Sequence, residues 1–523
     1  MFAHHRNDAV IRGISCSLFL PYMQYCKPPG VIITMGKTLY ILLVLACGAV
    51  FSACTDDDSF STSPSNLLTF STDTVRLDTV FATVPSSTRT FWVYNKSGDG
   101  IRCATVRLVG GNQTGFRVNV DGEYLSPEAG YQVRNVEIRK GDSIRVFVEL
   151  TSPKNMADGP QLKEDDLVFL LESGVEQKVN LNAYTWNATL LSNVVISGEQ
   201  TIDSHERPVV IYGGLKVDSM ATLHIAPGTT LYFHSDAGID VYGRLISEGT
   251  ADEGVILRGD RTDKMFDYLP YDMVSGQWRG IRLHSSSYGN KISYTDIHGT
   301  FDGIVCDSSD VSQLKLQLYN STVHNCQGDG LRTFASMVDV KNCQLTNALG
   351  NCVAVYGGDV SLTHCTIAQF YPFDSNRGAA LMFTNFDGTT MLPLERMDCI
   401  NSIVTGYGED MLSGVKADGE TTFNYRFVNS IIRTPEVDDD GNFIDVYFEN
   451  IEDTAAISGE ENFRLVDIDL QRYDFHLAVE SPAIGAANKD YSLPEDRDGL
   501  LRDDAPDIGC YEYWEQDNSS SGM

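Results

Sequence analysis

The sequence lacks several features that would each assign it to a class of protein. It has 12 cysteines but no Cys-x-x-Cys pair, so the usual cysteine spacing of a structural zinc site is missing. It has no excess of basic residues, because 39 Lys and Arg face 71 Asp and Glu, a formal net charge of −32. Phosphate binding requires a basic patch, and this balance therefore argues against nucleic acid as a partner. Long helical periodicities are also missing, and the many β-branched residues predict an all-β chain.

A pronounced apolar run lies near the amino terminus, at residues 39–46. Basic residues precede it and a Ser-Ala-Cys sequence ending at Cys54 follows, which is the layout of a secretory signal. The run is shorter than the roughly 20 residues of a membrane span. We therefore interpret residues 35–53 as a signal peptide that starts at Met35, and residues 1–34 as a misannotated upstream extension.

The Ser-Ala-Cys ending resembles the lipobox of bacterial lipoproteins. This resemblance implies cleavage before Cys54 and acylation of Cys54, and several acyl chains together anchor a protein firmly. Cys47, after a shorter apolar run, is the alternative lipidation site, and an ordinary secreted protein is the other interpretation. Residues 55–58, Thr-Asp-Asp-Asp, resemble the acidic export signal of surface lipoproteins in some Gram-negative bacteria. The resemblance implies an anchor in the outer membrane facing the exterior, with residues 54–66 as an acidic tether.

Residues 67–188 consist of short β-rich segments separated by turn residues such as those at 110–112 and 121–122. About seven to nine short strands at this spacing predict an immunoglobulin-like β-sandwich. Cys103 has no second cysteine in this segment, so the disulfide that joins the two sheets of antibody domains is not expected.

A short phrase recurs between residues 292 and 432: a polar residue, a small residue, a variable residue and a branched aliphatic residue. The small and aliphatic positions alternate as on one face of a β-strand. One copy cannot bury that face alone, and a period of about 20–40 residues is typical of solenoids. We therefore predict stacked coils with two inward columns, and a bend at the polar position where asparagine amides hydrogen-bond along the stack. The six copies are Tyr294–Ile297, Asn320–Val323, Asn342–Leu345, His364–Ile367, Asn401–Val404 and Asn429–Ile432.

Other segments between the copies also recur. Strand-like stretches at 303–306, 330–334, 351–356 and 379–383 predict a second sheet of the same solenoid. Cys343 and Cys365 occupy the small-residue position of the phrase, so we expect them to pack in the core. A stacked pair of cysteines could also oxidise, and the sequence leaves this open.

Both flanks of the repeat carry further motifs. The entry segment contains Pro-Gly-Thr at 227–229, Glu-Gly-Thr at 248–250 and Trp-Arg-Gly-Ile at 278–281, and the exit segment is Asp-Ile-Gly-Cys-Tyr-Glu-Tyr at 507–513. These elements resemble the first and last coils of secreted proteins of the pectin-lyase-like class. The resemblance implies a right-handed parallel β-helix over residues 189–523 with a C-terminal cap. It implies no particular chemistry, because the class includes lyases, hydrolases and non-catalytic adhesins.

Catalytic motifs are incomplete in this segment. The Asn-x-Asp, Gly-Asp-Asp and Arg-Ile-Lys elements of polygalacturonases are not present as a set, and a lyase arrangement of aspartates and arginine is missing. Charged residues on consecutive coils could nevertheless share a groove. The candidate catalytic residues are Asp329, Arg332, Lys341, His364 and Arg377, with Asp339 and Asp359 beside them.

An acidic loop near residue 440 resembles a calcium loop, with Asp438, Asp440 and Asn442 as candidate ligands followed by Asp445 and Glu449. Its glycine stands two positions early for an EF-hand, which leaves a solvated loop as the alternative. We expect no other cofactor.

Three functions follow from these observations. We expect a surface lipoprotein whose β-helix binds or displays extracellular polysaccharide or host glycan without catalysis. The first alternative is a polysaccharide lyase or glycoside hydrolase acting in the β-helix groove. The second is a structural or adhesion protein with a protein partner.

Overall fold

The computed structural model shows an all-β protein, as the sequence predicted. Within the described part of the chain, three short 3-10 helices, at Tyr271–Met273, Gly459–Asn462 and Lys489–Tyr491, interrupt the strands. None of the helices in the part of the chain described by the structure is long and apolar enough to span a membrane. Cys54, the predicted signal peptide and residues 55–58 of the tether lie outside the described residues. The structure describes residues 59–157, 159–437, 441–450, 452–453 and 456–515.

Ten strands form the amino-terminal β-sandwich. They are β1 (Thr69–Phe70), β2 (Thr74–Phe81), β3 (Arg89–Tyr94), β4 (Ile101–Leu108), β5 (Phe116–Val120), β6 (Glu123–Tyr124), β7 (Gln132–Ile138), β8 (Ser143–Leu150), β9 (Gln161–Leu171) and β10 (Glu176–Trp186). The strand order is β1-β3-β8-β5-β6 in one sheet and β2-β10-β9-β4-β7 in the other. With β4, β9 and β10 as strands C, F and G, these orders contain the A-B-E-D and C-F-G sheets of an immunoglobulin-like sandwich.

The sandwich core follows from alternation along its strands. Phe91 and Val93 of β3 point inward while Trp92 between them is exposed, as expected for a sheet with one buried face. The inward residues of both sheets form one continuous core that includes Phe169. Cys103 is a buried free thiol in this core.

Among the residues that the structure describes, thirty-two further strands follow, most of them in a parallel solenoid. They are β11 (Thr189–Ile196), β12 (Glu199–Ile202), β13 (Val209–Val217), β14 (Thr222–Ile225), β15 (Thr230–Phe233), β16 (Ile239–Val241), β17 (Arg244–Glu248), β18 (Val255–Gly259), β19 (Lys264–Phe266), β20 (Leu269–Pro270), β21 (Ile281–Leu283), β22 (Asn290–Ser293), β23 (Thr295–His298), β24 (Ile304–Cys306), β25 (Leu314–Tyr319), β26 (Thr322–Cys326), β27 (Leu331–Lys341), β28 (Gln344–Ala348), β29 (Val353–Thr363), β30 (Thr366–Gln369), β31 (Leu381–Thr384), β32 (Phe386–Asp387), β33 (Thr390–Met391), β34 (Leu394–Ile400), β35 (Ile403–Gly406), β36 (Leu412–Val415), β37 (Arg426–Val428), β38 (Ile431–Ile432), β39 (Phe443–Ile444), β40 (Tyr447–Phe448), β41 (Phe463–Asp467) and β42 (Arg472–Leu477).

Each coil of the solenoid contributes strands to three parallel sheets. Sheet A contains β16, β21, β24, β31 and β36 together with the first halves of β27 and β29. Sheet B contains β14, β17, β22, β25, the second halves of β27 and β29, β34 and β37. Sheet C contains β15, β18, β23, β26, β28, β30, β35 and β38. The predicted parallel β-helix is confirmed, and the predicted second sheet is sheet A.

The recurring phrase builds sheet C and its inner surface. The aliphatic column from Ile297 to Ile432 is fully buried, as is the small-residue column from Thr295 to Ser430. Hydroxyls of the small column bond between coils: Ser402 Oγ accepts from Cys365 N at 3.0 Å, and Ser430 Oγ accepts from Ser402 N at 3.1 Å. Serine, threonine and cysteine therefore interchange here because each is small and able to hydrogen-bond. Cys343 and Cys365 are both free thiols within this column.

The polar position of the phrase forms the corner between sheets B and C, with φ between 45° and 50° in all six copies. Asparagine tolerates this left-handed conformation better than most residues, which explains its recurrence. The amides, however, mostly bond another segment rather than the next coil. Asn320 and Asn342 donate to the carbonyls of Asp496 and Glu495, at 3.1 and 2.8 Å.

That segment, residues 488–512, is named the closing strap. Asn488 bonds both Asn401 and Asn429, so the strap contacts all four asparagine copies of the corner, and its Gly509 carbonyl also bonds the His364 copy. It therefore lies along the side of the coils, which corrects the predicted C-terminal cap across the end of the stack. The physical reason is that the corner asparagines, in their left-handed conformation, present donors and acceptors outward, and the strap backbone satisfies them.

Candidate functional site

A groove of about 450 Å³ crosses the outer face of sheet B. Inward positions of β27, β29, β34 and β37 hold the core, so alternate residues of these strands face the groove. Tyr491 of the closing strap lines it beside the B–C corner, whereas Leu314 lines it at the start of β25 and Met337 in the second half of β27. The charged lining residues are Asp339, Lys341, Arg396, Asp398 and Arg426.

Three ion pairs lie on this face, spread over four consecutive coils. Coils are separated by about 4.8 Å, so the charged row is roughly 14 Å long. The pairs are Lys341 Nζ with Asp339 Oδ2 at 2.8 Å, Arg396 Nε with Asp359 Oδ1 at 2.7 Å, and Arg426 Nη2 with Asp398 Oδ2 at 2.8 Å.

Asp339 has the largest number of partners in the groove. Lys341 Nζ, Tyr319 Oη and Ser361 Oγ all donate hydrogen bonds to its carboxylate. Burial opposes its ionisation, but these bonds outweigh burial and hold the pKa of Asp339 below its usual value. Burial likewise opposes the charge of Lys341, yet Asp339 raises the pKa of the ammonium group above its ordinary value. Both groups are therefore charged at neutral pH.

In each ion pair the cation is the more exposed partner. The exposed side-chain fractions are 48% for Arg396 against 21% for Asp359, and 40% for Arg426 against 13% for Asp398. Lys341 is 33% exposed and Asp339 is 20% exposed. The groove consequently presents N–H donors to solvent although the chain as a whole carries a formal net charge of −32.

Two of the residues predicted to share a groove line it, Asp339 and Lys341, and a third, Asp359, lies on the same face through its ion pair with Arg396. Arg332 and Asp329 instead lie at sheet A, where Arg332 bridges Asp329 at 2.5 Å and Asp302 at 2.9 Å. The reason is the coil itself, since residues a few positions apart in sequence face different sides once the chain turns a corner.

His364 and Arg377 are also outside the groove. His364 is fully buried beneath the closing strap, where its Nδ1 bonds the carbonyl of Gly509 at 3.2 Å. Arg377 lies in the insertion between β30 and β31, where its Nη1 donates to the carbonyl of Tyr371 at 2.6 Å. These contacts correct the expectation that both would line the groove.

Arg396, Asp398, Arg426 and Tyr491 were missed by the sequence analysis. Aligning the copies on the corner residue would have found two of them, Asp398 and Arg426. The residue three positions before the corner faces the groove in successive coils, as Asp339, Ser361, Asp398 and Arg426. Tyr491 carries no such signal because the strap follows its own path.

Of the three candidate calcium ligands, the structure describes only Asn442. Asp438 and Asp440 lie outside the described residues. The carbonyl of Asn442 accepts a hydrogen bond from Phe427 N in the preceding coil. Glu449 is buried and accepts bonds from Thr405 Oγ1 at 2.8 Å and Asn462 Nδ2 at 2.7 Å. Its oxygens thus have protein donors, so Glu449 belongs to the packing of the last coils and not to a solvent-facing calcium loop.

A second cluster, also missed, lies on the outer face of sheet C. Asp296 Oδ1 is 2.8 Å from His298 Nδ1 and 3.2 Å from His324 Nε2. Asp272, from the 3-10 helix that follows β20, accepts from His298 Nε2 at 2.7 Å. The signal was present in the sequence, since each histidine directly follows the aliphatic residue in consecutive copies of the phrase.

Comparisons with known proteins bear on the architecture. No curated protein sequence matches this chain. Among solved structures, pectate lyase Pel9A is similar at 12% identity over 62% of this chain and 88% of that chain, with a TM-score of 0.27. The catalytic unit of the GH87 α-1,3-glucanase from Streptomyces thermodiastaticus strain HF3-3 is similar at 14% identity over 68% and 76% of the two chains, with a TM-score of 0.26.

A family 123 glycoside hydrolase from Clostridium perfringens is similar at 7% identity, with a TM-score of 0.16. That alignment covers 23% of this chain and 26% of the hydrolase. A sequence family described as a right handed beta helix region matches residues 187–369. This match agrees with the right-handed parallel β-helix implied by the resemblance of the flanking motifs.

Proposed function

We propose that the groove on sheet B binds an extracellular polysaccharide that carries carboxylate groups. The observation that carries this proposal is the arrangement of the three ion pairs, in each of which the cation is more exposed than its carboxylate. Arginine presents paired donors that match a carboxylate, and Arg396 and Arg426 lie on adjacent coils. A row of such donors about 14 Å long suits an elongated ligand better than a compact one.

The net negative charge of the chain does not prevent this binding. At physiological salt the Debye length is about 8 Å, so distant surface carboxylates repel a polyanion only slightly. Contacts within hydrogen-bond reach of Arg396 and Arg426 are screened much less, because both guanidinium groups lie beside partly buried carboxylates. Local donors therefore determine the affinity, and overall charge determines solubility.

Binding without catalysis fits the protonation states of the groove. A glycoside hydrolase needs a carboxyl group of raised pKa as its general acid, whereas Asp339 has a lowered pKa and holds no proton. A lyase that used Lys341 as its base would need the neutral amine, whereas Asp339 raises the pKa of Lys341. These two groups favour a binding groove over either kind of enzyme.

Replacing both arginines of the groove with glutamine tests the proposal. We expect Arg396→Gln with Arg426→Gln to weaken binding of polygalacturonate or alginate by at least about tenfold, because each charged hydrogen bond is worth about 1.5–3 kcal/mol. Binding would be measured by isothermal titration calorimetry on the purified protein, with dextran as a neutral comparison. Glutamine keeps a donor for Asp359 and Asp398, so the fold should be retained.

Arg282→Gln is the matched control. Arg282 forms an ion pair with Asp307 at 3.0 Å on sheet A, and its side chain is 56% exposed. We expect this variant to bind like the parent protein. Equal losses in both variants, or binding of dextran alone, would contradict the proposal. If the parent protein produced unsaturated uronate absorbance or new reducing ends and the double variant did not, the lyase or hydrolase alternative would replace the binding proposal.

We further propose that Cys54 carries a lipid and that the protein is displayed on the outer membrane. The secretory layout of residues 35–54 and the acidic residues 56–58 support this location. Labelling growing cells with an alkyne fatty acid should mark the parent protein and not a Cys54→Ala variant. Protease treatment of intact cells should remove the β-helix if it faces the exterior, and protection from protease would place it in the periplasm instead.

A further inference from the structure

We propose that Asp296, His298 and His324 form a binding site for a divalent transition-metal ion such as zinc. The ligand atoms would be Asp296 Oδ1, His298 Nδ1 and His324 Nε2, and they lie within 4.8 Å of one another. This site is on sheet C, separate from the groove, and does not depend on the proposed polysaccharide binding.

The fold brings these three atoms together through strand register. His298 of β23 and His324 of β26 are paired residues in neighbouring strands, and their rings lie 4.8 Å apart. Asp296 lies two positions before His298 and so points to the same face. Inward-facing Ile297 and Val323 lock both strands in the core, so the backbone that carries the three side chains is rigid.

The spacing suits a metal ion of zinc size. Zinc–ligand bonds of about 2.0–2.1 Å place tetrahedral ligand atoms roughly 3.3 Å apart. Asp296 Oδ1 is 2.8 Å from His298 Nδ1 and 3.2 Å from His324 Nε2, so a bound ion needs movements of only a few tenths of an ångström at these two distances. Two imidazoles and a carboxylate favour a transition metal, whereas calcium prefers an all-oxygen shell.

A supporting residue is already in place. The remaining ring nitrogen of His298 bonds Asp272 Oδ1 at 2.7 Å, the carboxylate–histidine arrangement that orients metal-ligating histidines. Arg258 in turn holds Asp272 at 2.9 Å, and Asn325 anchors the neighbouring Met273 carbonyl at 3.0 Å. The excursion between β18 and β21 thus serves to deliver Asp272 to the site.

Access to the site is one-sided. The side chain of His298 is 8% exposed and that of His324 is 17% exposed, but Asp296 is 34% exposed. Three protein ligands with an open side leave a position for water or a substrate atom, the pattern of reactive rather than purely structural metal sites. A salt-bridged cluster, with a protonated His298 between Asp296 and Asp272, is the competing description of the same geometry.

Zinc titration of the chelator-treated full chain distinguishes the two descriptions. We expect one zinc per chain by calorimetry, and tetrahedral-type visible absorbance with cobalt as a second readout. His324→Gln keeps a hydrogen-bond donor near Asp296 and should abolish binding while the melting temperature without metal stays unchanged. Asp272→Asn should weaken zinc binding about 10–100-fold, because Asp272 only positions His298.

His284→Gln is the matched control for this experiment. His284 also bonds two carboxylates, Asp240 at 3.1 Å and Asp307 at 3.4 Å, but among the described residues it is not part of a cluster of metal-ligating groups with a second histidine. Zinc binding should be unchanged in this variant. Absence of stoichiometric zinc in the parent, or equal binding by the parent and His324→Gln, would overturn the metal site and leave the salt-bridged cluster.

Discussion

Replacing His364 with asparagine is expected to remove a loss of stability that the parent protein undergoes as the pH falls below about 6.5. Burial, with Arg502 nearby, lowers the pKa of His364 to about 3. The unfolded chain binds this proton near pH 6.5, whereas the folded chain resists it, so acid favours unfolding. At about pH 4.5 the difference amounts to about 2–3 kcal/mol, at roughly 1.4 kcal/mol for each unit of pKa.

The hydrogen bonds of His364 explain why its neutral form is required. Asn401 Oδ1 accepts from the Asn488 N–H at 2.8 Å, which turns the Asn401 amide nitrogen toward His364 Nε2 at 3.1 Å. Nε2 must therefore accept, and Nδ1 donates to the carbonyl of Gly509 at 3.2 Å. A second proton would put two donors face to face in a buried site near the Arg502 guanidinium. Asparagine occupies the same corner position in four other copies and carries no titratable group.

Urea unfolding at about pH 7.5 and about pH 4.5 measures this effect. The fall in unfolding free energy between the two pH values should be smaller in His364→Asn than in the parent, by about 2–3 kcal/mol. The control is His205→Asn, a histidine substitution at a side chain that is 58% exposed. Parallel pH profiles for the parent and His364→Asn would show that position 364 does not sense acid.

Glu449→Ala is expected to destabilise the protein by about 3–5 kcal/mol, the usual loss when one partner of a buried ion pair is removed. Glu449 is fully buried and lies 3.3 Å from Arg433, which is 14% exposed. It also accepts bonds from Thr405, Asn462 and the Gly459 N–H. The substitution would leave the largely buried Arg433 guanidinium without its carboxylate, and the Thr405 hydroxyl and Gly459 N–H without an acceptor.

This loss would appear as a lower midpoint of denaturant unfolding, with the slope of the unfolding free energy against denaturant concentration unchanged. Glu449→Gln, which keeps the shape and one acceptor, should lose less than Glu449→Ala. Asp445→Asn is the matched control in the same acidic segment, because Asp445 is exposed and asparagine tolerates its φ of 51°. Equal stability of Glu449→Ala and Asp445→Asn would contradict the buried network. Calcium should not restore the stability of Glu449→Ala, since Glu449 is already bound by protein donors.

The repeat could be recognised in the sequence because every coil has to meet the same packing requirement with its own residues. Each copy must place a small residue and an aliphatic residue inward, so Thr295, Ser321 and Cys343 share one column. The bend was predictable for the same reason, since asparagine tolerates a left-handed corner. What the corner amides bind was not predictable, because the strap that accepts from Asn320 and Asn342 follows more than 140 residues later.

The residues of the candidate groove were likewise predictable from the sequence only in part. Asp339 and Lys341 were predicted as neighbours because they lie two apart on one strand and so share a face. His364 was predicted for the same groove and is instead buried, because the strap covers its corner. Arg426 joins the groove although it is far from Lys341 in sequence, because stacking returns the chain to the same face once per coil.

The sequence by itself determined the architecture of this protein: a β-sandwich, followed by coils whose inward columns are formed by the small and aliphatic positions of the recurring phrase. Hydrophobic burial acts on every copy alike, so a local pattern suffices to specify it. Only the tertiary structure decided which polar residues meet, as with Arg396 and Asp359 in the groove and His298 and His324 on sheet C. Polar side chains outside the core are not constrained by packing, and their partners depend on coil register and on the path of distant segments.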